Sequence, residues 1–272
     1  KHRMIATLDR NDFLRGLYLF CNDVSLKVAN IAGHGELSMH AGRNPGYSLN
    51  SLASIMMEQG FSPAEIPVEE LKNQGFYLVM IHSPLEKWTE EELKILENYL
   101  EKGGHLWISL DPLLRATRDP SFGQWVERYF KLRLESGVIL QGGLESQIKG
   151  EKPMAPVITK VIAPFFRQNL PPEVRIKVNT AGSLIALSSS KAEPVFDAGA
   201  EKDQWLEKDI QEMLETGSVD FGPNDRNHDI FPAFSVHQGS SRAMIWADSD
   251  WISNQWIIQE SNVIAVLATL KY

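Results

Sequence analysis

Polar side chains that could bind a ligand or transfer protons follow four apolar segments, each of which reads as a β-strand. Histidine and carboxylate groups act as general acids and bases, and crowded carboxylates also attract cations and hydroxyl groups. A helix cap or a turn explains any one of these residues alone, since Ser, Asp and Asn are common there. Taken together, the four segment ends predict one cleft, and the candidate ligand- or partner-binding residues are His34, Glu36, Ser83, Asp111, Asp248, Asp250 and Asn254.

Crowding of carboxylates in such a cleft has a chemical consequence. Like charges raise each other's pKa unless a cation or a hydrogen-bond donor compensates. The cleft therefore favours a cationic or polyhydroxylated ligand, such as a saccharide, over a phosphate. Trp251 and Trp256 could add stacking surface, whereas Trp107 and Trp246 lie within predicted strands and fit the core better.

The elements that must position these residues are clearest from Phe76 to Pro112, which predicts a strand, a helix and a strand. Phe76–Ser83 is an apolar run typical of a buried parallel strand. Thr89 and Glu92 have capping-box spacing at the start of the helix, and Gly103-Gly104 ends it before the strand His105–Leu110. A right-handed crossover brings both strand ends to the carboxyl edge of the sheet, where open α/β sheets bind ligands.

The rest of the chain extends this pattern to an α/β fold, a mostly parallel, doubly wound sheet in a flavodoxin-like or amidotransferase-like three-layer sandwich. We expect the strands that begin at Lys27, Phe76, His105 and Ala243 to be central, with helices on both faces. Residues 1–140 form the first part of the core, with a helix from Asp12 to Cys21. An insertion with short strands and one helix, Gln204–Leu214, occupies residues 141–232. Residues 233–272 complete the core.

Composition excludes several classes of protein. With 272 residues and 43% hydrophobic side chains, the chain has the composition of a soluble globular protein. A formal charge of −8 argues against a nucleic-acid partner. The single cysteine, Cys21, excludes an intrachain disulfide framework. No run approaches the roughly 20 apolar residues of a membrane span, so we expect any membrane anchor to lie outside these residues.

A family resemblance rests on several segments in order: Val28–Ala32 followed by GHGE, then GYSLNSLASIMMEQGF, WTEEELKILENYLEKGGHLWISLDP and SSRAMIWADSDWISNQW. This pattern resembles the auxiliary domain of ABC-type transport systems in the GldG-like, gliding-motility-associated family, which has a class I glutamine-amidotransferase-like fold. The resemblance implies an extracytoplasmic, periplasmic domain of a membrane-anchored protein, with transporter permease and ATPase subunits as partners.

The absence of known catalytic motifs argues against an enzyme. The turn that would carry an amidotransferase cysteine reads Leu110-Asp111-Pro112, and Cys21 lies before the first strand. No G-x-S-x-G elbow and no phosphate-binding loop occurs, so we expect neither glutaminase nor ATPase activity. No cofactor is predicted.

Metal sites are weakly signalled too. A zinc site would need His34, His40 and a distant carboxylate, and Asp225-x-Asn227-x-Asp229 has only the opening spacing of a calcium loop. We therefore predict no metal site.

Two functional hypotheses remain. The favoured one is a non-catalytic accessory domain that binds a ligand or partner at the carboxyl edge. The alternative is a carboxylate-dependent hydrolase or glycan-processing enzyme that uses Glu36, Asp111, Asp248 and Asp250 as general acid and base.

Overall fold

The computed structural model describes residues 25–41, 44–73, 75–113, 119–142, 152–201, 203–216 and 221–272. Its strands are β1 (Leu26–Ile31), β2 (Phe61–Ile66), β3 (Leu78–His82), β4 (His105–Ser109), β5 (Leu132–Leu134), β6 (Val138–Gln141), β7 (Val157–Ile158), β8 (Ile176–Lys177), β9 (Leu184–Ala186), β10 (Ala192–Pro194), β11 (Gln204–Glu207), β12 (Ala233–Gln238) and β13 (Ser241–Trp246). Its α-helices are α1 (Asn50–Glu58), α2 (Glu90–Glu101), α3 (Ser121–Phe130), α4 (Pro164–Asn169), α5 (Ile210–Thr216) and α6 (Asn262–Lys271). The predicted helix Asp12–Cys21 lies outside the described residues.

Seven strands form the main sheet, in the order β10-β12-β13-β4-β3-β1-β2. The five strands from β13 to β2 run parallel to their neighbours, whereas β12 and β10 pair antiparallel at the other end. The predicted mostly parallel sheet is thus confirmed, and the four strands expected at its centre are all internal.

Helices cover both faces of this sheet and make three layers. On β3, Leu78 and Met80 join the core cluster that includes residues of α1 and α6. Val79 and Ile81 point the other way, into the cluster that includes residues of α2 and α3. Because both faces are buried, the central strands need apolar residues at nearly every position, which explains their continuous apolar runs.

Local signals fix the ends of α2 as predicted. Thr89 Oγ1 accepts from Glu92 N (3.3 Å) and Glu92 Oε2 accepts from Thr89 N (2.7 Å), which is a complete capping box. Gly103 follows the helix with φ +90°, a conformation that glycine adopts without steric cost. The helix therefore returns the chain to β4 beside β3.

Two segments, one in the insertion and one just before it, depart from the sequence prediction. Gln204–Leu214 is not one helix, because Gln204–Glu207 forms β11 and pairs antiparallel with β6. Trp205 and Leu206 are buried in different core clusters, so packing on both sides of the strand overrides its helical pattern. The apolar residues of Leu132–Leu140 predict a single strand. The structure instead has two, because Gly137, with φ +147°, separates β5 from β6.

Candidate functional site

The four predicted strand ends do meet at the carboxyl edge of the main sheet. Backbone hydrogen bonds continue past the strands, from Ser83 N to Ser109 O (2.8 Å) and from Leu110 N to Trp246 O (2.8 Å). The polar side chains nevertheless separate into two groups. The aspartate group comprises Asp111, Asp248, Asp250 and Asn179, and the histidine group comprises His34, Glu36, Glu92 and Trp88.

The aspartate group is held together by amide donors. Asp248 accepts hydrogen bonds from the backbone N–H of Asp250 (2.7 Å) and of Asn179 (2.9 Å). Asp250 Oδ2 accepts from the side-chain amide of Asn179 (2.5 Å). Asp111 Oδ1 accepts from Leu113 N (2.9 Å). Asp248 and Asp250 follow β13, Asp111 follows β4, and Asn179 comes from the insertion.

Burial and mutual repulsion alter the acidity of this group. Burial, followed by the charges of Asp250 and Asp111, raises the pKa of Asp248 well above its ordinary value. Burial and the charge of Asp111 raise the pKa of Asp250 to about 6, against the opposing effect of the Asn179 hydrogen bond. The charge of Asp111 thus reaches both other carboxyl groups, and the three form one electrostatic unit.

Sequence analysis missed Asn179, although it binds two of the predicted residues. The residue lies 69 positions before Asp248 and 71 before Asp250, in a part of the insertion where no motif stands out. Thr180 after it has φ +55°, which marks a tight turn at this contact. Only the fold brings this turn to the end of β13.

In the histidine group, each ring nitrogen of His34 has a carboxylate partner. Nδ1 lies 3.2 Å from Glu36 Oε1, Nε2 lies 3.1 Å from Glu92 Oε1, and the ring stacks on Trp88 at 4.3 Å between centroids. Burial raises the pKa of Glu36, and the His34 contacts oppose this rise. For Glu92, partial burial acts upward, but hydrogen bonds from Thr89 and His34 lower the pKa overall. The sequence pattern places Glu92 only in the helix cap, and its contact with His34 was not predicted.

The loops after β1 and β3 close the crevice between these two strands. Strand order reverses at β1, since β2 lies on one side and β3 on the other, and ligands bind at such a point in open α/β sheets. Here the carbonyl oxygen of His34 accepts from Leu85 N (2.7 Å) and Glu86 N (2.9 Å). Gly35, at φ +80°, lies so close that an added Cβ would be 3.1 Å from Leu85 Cβ. The chain's own loops therefore fill this crevice.

His82 and Ser83 end the central strand β3. His82 is fully buried, its Nδ1 lies 3.0 Å from Ser109 Oγ, and burial lowers its pKa to about 3, so the ring is neutral. Ser83 has φ +54°, which is strained for a residue other than glycine. Its buried hydroxyl has no hydrogen-bond partner within the described part of the chain.

Asn254 makes its side-chain hydrogen bonds to residues 45–51. Its Oδ1 accepts from Ser51 N (2.8 Å), and its Nδ2 donates to Pro45 O (2.7 Å) and Ser48 Oγ (2.9 Å). These bonds fasten the loop after β13 to the start of α1. Asn254 is therefore engaged in holding that loop, and its role in ligand binding stays a prediction.

The tryptophans add less exposed surface than predicted. Trp107 and Trp246 are core residues, as expected, but Trp251 is fully buried as well. Its ring lies 4.1 Å from that of Trp246, between centroids, on the face covered by α1 and α6. Trp251 therefore packs beneath the edge instead of offering a stacking face.

One trio of acidic side chains is close enough to hold a metal ion. Among the described residues, Glu207, Asp209 and Asp225 have carboxylate oxygens within 4.8 Å of one another. Asp225 belongs to the calcium-like spacing seen in the sequence, but Asn227 and Asp229 are not part of this trio. Exposed acidic groups are common without an ion, so the trio alone is not evidence of a metal site.

Comparison with known proteins gives structural neighbours only. No family model matches the chain, and no curated protein matches it. A solved structure described as "mmIFT52 N-terminal domain" matches with TM-score 0.65 and 14% identity, over 90% of this chain and 96% of that one. A cytoplasmic protein, STM1381, from Salmonella typhimurium LT2 matches with TM-score 0.50 and 8% identity, over 90% and 98%. A ThuA-like protein from Bacteroides uniformis ATCC 8492 gives TM-score 0.47 and 13% identity, over 90% and 89%.

These neighbours correct the family resemblance. The two with TM-scores of 0.50 or above are an IFT52 domain and a cytoplasmic protein, and neither points to GldG, gliding motility or ABC transport. The GldG-like assignment is therefore wrong. In the described part of the chain, no helix is both long and apolar enough to cross a membrane. The extracytoplasmic location stays a prediction. At identities of 8–14%, the likeness shows the α/β fold alone.

Proposed function

We propose that this chain is a non-catalytic binding domain, with its ligand- or partner-binding surface at the carboxyl edge of the main sheet. The observation that carries this proposal is the aspartate group. Asp111, Asp248 and Asp250 stand at the ends of the neighbouring strands β4 and β13, and their charges act on one another. Keeping three acids together costs stability, and such costs are common where a protein binds or reacts.

The chemistry of the group indicates the class of ligand. Asp248 and Asp250 are held by amide groups of Asn179 and of the backbone, which donate hydrogen bonds but carry no positive charge. A cation would neutralise the remaining negative charge, and the hydroxyls of a saccharide would donate to the carboxylate oxygens. A phosphate would be repelled. We therefore infer a cationic or polyhydroxylated ligand.

The histidine group supports binding over catalysis. A hydrolase built on four carboxylates needs Glu36 beside the aspartates, but the contacts of Glu36 are with His34. Both ring nitrogens of His34 face carboxylates, so neither is free to accept a proton from a nucleophile. The residues best suited to acid–base work are thus occupied in holding a loop.

One observation favours the alternative, a carboxylate-dependent hydrolase. The pKa of Asp250 is about 6 and that of Asp248 is also raised, so at neutral pH the group can hold a proton. A general acid and a neighbouring carboxylate base are what glycoside hydrolysis requires. Such an enzyme would use Asp111, Asp248 and Asp250 without Glu36.

Ligand titration of matched variants tests the binding proposal. Calorimetry with neutral saccharides, amino sugars and polyamines should identify a ligand that binds the wild-type chain. Asp250→Asn should weaken that binding roughly tenfold or more, because a charged hydrogen bond to the ligand is lost. Glu58→Gln, an exposed change on α1, should leave it unchanged. Equal affinity for wild type and Asp250→Asn would contradict the proposal.

Activity assays separate the two functions. Wild type should turn over none of a panel of glycoside, ester and peptide substrates. Turnover by wild type that disappears in Asp250→Asn, while Glu58→Gln retains it, would establish the hydrolase and refute the binding domain.

A further inference from the structure

A groove of about 680 Å³ opens at the amino-terminal edge of the main sheet, opposite the aspartate group. One wall is the end of the 3₁₀ turn Val68–Lys72, at Leu71 and Lys72, and the other is the last turn of α2. The start of β4, at His105, also lines the groove. The groove is independent of the function proposed above, because it shares no residue with the carboxyl edge.

Tyr99 gives the groove a fixed shape. Its hydroxyl accepts from His105 N (3.1 Å) and shares its proton between the carbonyl oxygens of His105 (3.2 Å) and Phe76 (3.3 Å). Gly104 lies directly against the ring, since an added Cβ would be 2.3 Å from it. The apolar side chains of Phe76 and Ile95 also line the groove, and both are more than 90% buried. The groove is therefore a preformed surface with an apolar base.

The charged side chains of the groove are basic. Lys72 comes from one wall and Lys102 from the other, and both are exposed. None of the described residues that line the groove is acidic, although the whole chain carries −8. Three acidic residues are near these lysines in sequence but do not line the groove. Glu69 and Glu70 belong to the same 3₁₀ turn as Lys72, and Glu101 precedes Lys102. Burial, with a smaller contribution from the charge of Glu101, raises the pKa of Tyr129 on the α3 side. The charged side chains that line the groove are thus both positive.

His105, which also lines the groove, lies near positive charge from outside the lining. Burial is the main cause of its lowered pKa, and the charges of Arg242 and His237 lower it further. Its Nδ1 is buried and has no hydrogen-bond partner among the described residues. The imidazole of His105 is consequently a polar group in the lining whose neutral form is favoured, and a bound anion would act on it in the opposite direction.

We propose that this groove binds a small organic anion, a carboxylate or phosphate group carried on a flat apolar body. The anionic group lies between Lys72 and Lys102, and the apolar body lies on Phe76 and Ile95. Two lysines on facing walls attract one negative group without a rigid fork, so the site accepts either anion. The apolar base adds affinity for the body of the ligand.

Simple aromatic probes test this proposal on the whole chain. NMR titration with benzoate and with phenyl phosphate should show saturable binding, and benzyl alcohol should bind at least tenfold more weakly. The stronger of the two anions identifies the preferred group. A bound anion should also raise the pKa of His105, because it offsets the field of Arg242 and His237.

Two variants locate the site. Lys102→Gln should weaken benzoate binding about three- to tenfold, in line with the loss of one partly exposed charge. Lys160→Gln, which removes an exposed lysine paired with Asp197 in the insertion, should leave binding unchanged. Equal binding of benzyl alcohol, an unmoved pKa of His105, equal loss in both variants, or no binding of either anion would each overturn the proposal.

Discussion

Asn179 and Asp250 meet across the edge of the sheet, where the side-chain amide of Asn179 donates a 2.5 Å hydrogen bond to Asp250 Oδ2. The contact joins the insertion to the residue group that follows β13. An amide satisfies one oxygen of a buried acid but leaves its negative charge in place. The bond therefore holds Asp250 in place without neutralising its charge, and this should have measurable effects on stability.

Replacing Asp250 should stabilise the protein at neutral pH. Because the pKa of Asp250 is raised from 3.8 to about 6, its favourable contribution is present at acid pH and is lost as pH rises towards 6. Asp250→Asn removes the charge and keeps an oxygen for Asn179. The free energy of unfolding at about pH 7.5 should rise by on the order of 2 kcal/mol, and the gain should vanish near about pH 4.

Urea unfolding at the two pH values measures this difference. Glu58→Gln, an exposed change, should alter neither value. A loss of stability in Asp250→Asn at neutral pH would mean that the carboxylate has a compensating partner.

Removing the side-chain amide of Asn179 should have the opposite effect. Asn179→Ala keeps the backbone donor to Asp248 but removes the bond that lowers the pKa of Asp250. We expect the free energy of unfolding to fall by about 1 kcal/mol, measured by urea unfolding. The pKa of Asp250 should rise further, measured by carboxyl ¹³C NMR. Asn224→Ala, an exposed control with only a 3.5 Å contact, should leave that pKa where it is. A fall in the pKa of Asp250 would show that the amide does not stabilise its ionised form.

Gly35 is expected to be intolerant of a side chain. Gly35→Ala meets both a positive φ and a 3.1 Å contact with Leu85 Cβ, whereas Gly239→Ala meets a positive φ with nothing within 4 Å. We expect the free energy of unfolding to fall by roughly 2–3 kcal/mol for Gly35→Ala and by about 1 kcal/mol for Gly239→Ala. Thermal or chemical unfolding measures both variants. Equal costs would show that the loops after β1 and β3 separate easily.

Ser83 offers a test of backbone strain. Ser83→Gly relieves the strain of a left-handed conformation at φ +54°. It also removes a buried hydroxyl without a described partner, so it should raise the free energy of unfolding by about 1 kcal/mol. Lys131→Gly, at φ +56° after α3, relieves similar strain on the surface and calibrates that part of the gain. If Ser83→Gly is destabilising, the hydroxyl has a partner in solution. Weaker ligand binding by this variant would place Ser83 in the binding surface.

Several elements could be predicted because their causes are local. The capping box of α2 needs only Thr89 and Glu92, and the apolar runs of β3 and β4 need only burial on both faces. The parallel pairing of β3 with β4 then brings their ends to one edge, as predicted. The helix predicted at Gln204–Leu214 failed for the converse reason, because β11 exists through its pairing with β6, 63 or more positions away.

Sequence alone determined the residue types at the carboxyl edge, since each follows a strand whose pattern is visible in the chain. It also determined that Asp248 and Asp250 lie near each other, two positions apart. Only the tertiary structure decided that His34 and Glu36 turn towards α2 while Asp111 joins the other aspartates, and that Asn179 is their partner. Side-chain direction after a strand depends on loop conformation and on contacts between distant segments, and neither is encoded in local spacing. The sequence pattern therefore predicts that the polar residues lie at one edge of the sheet. Their separation into a histidine group and an aspartate group depends on the tertiary structure.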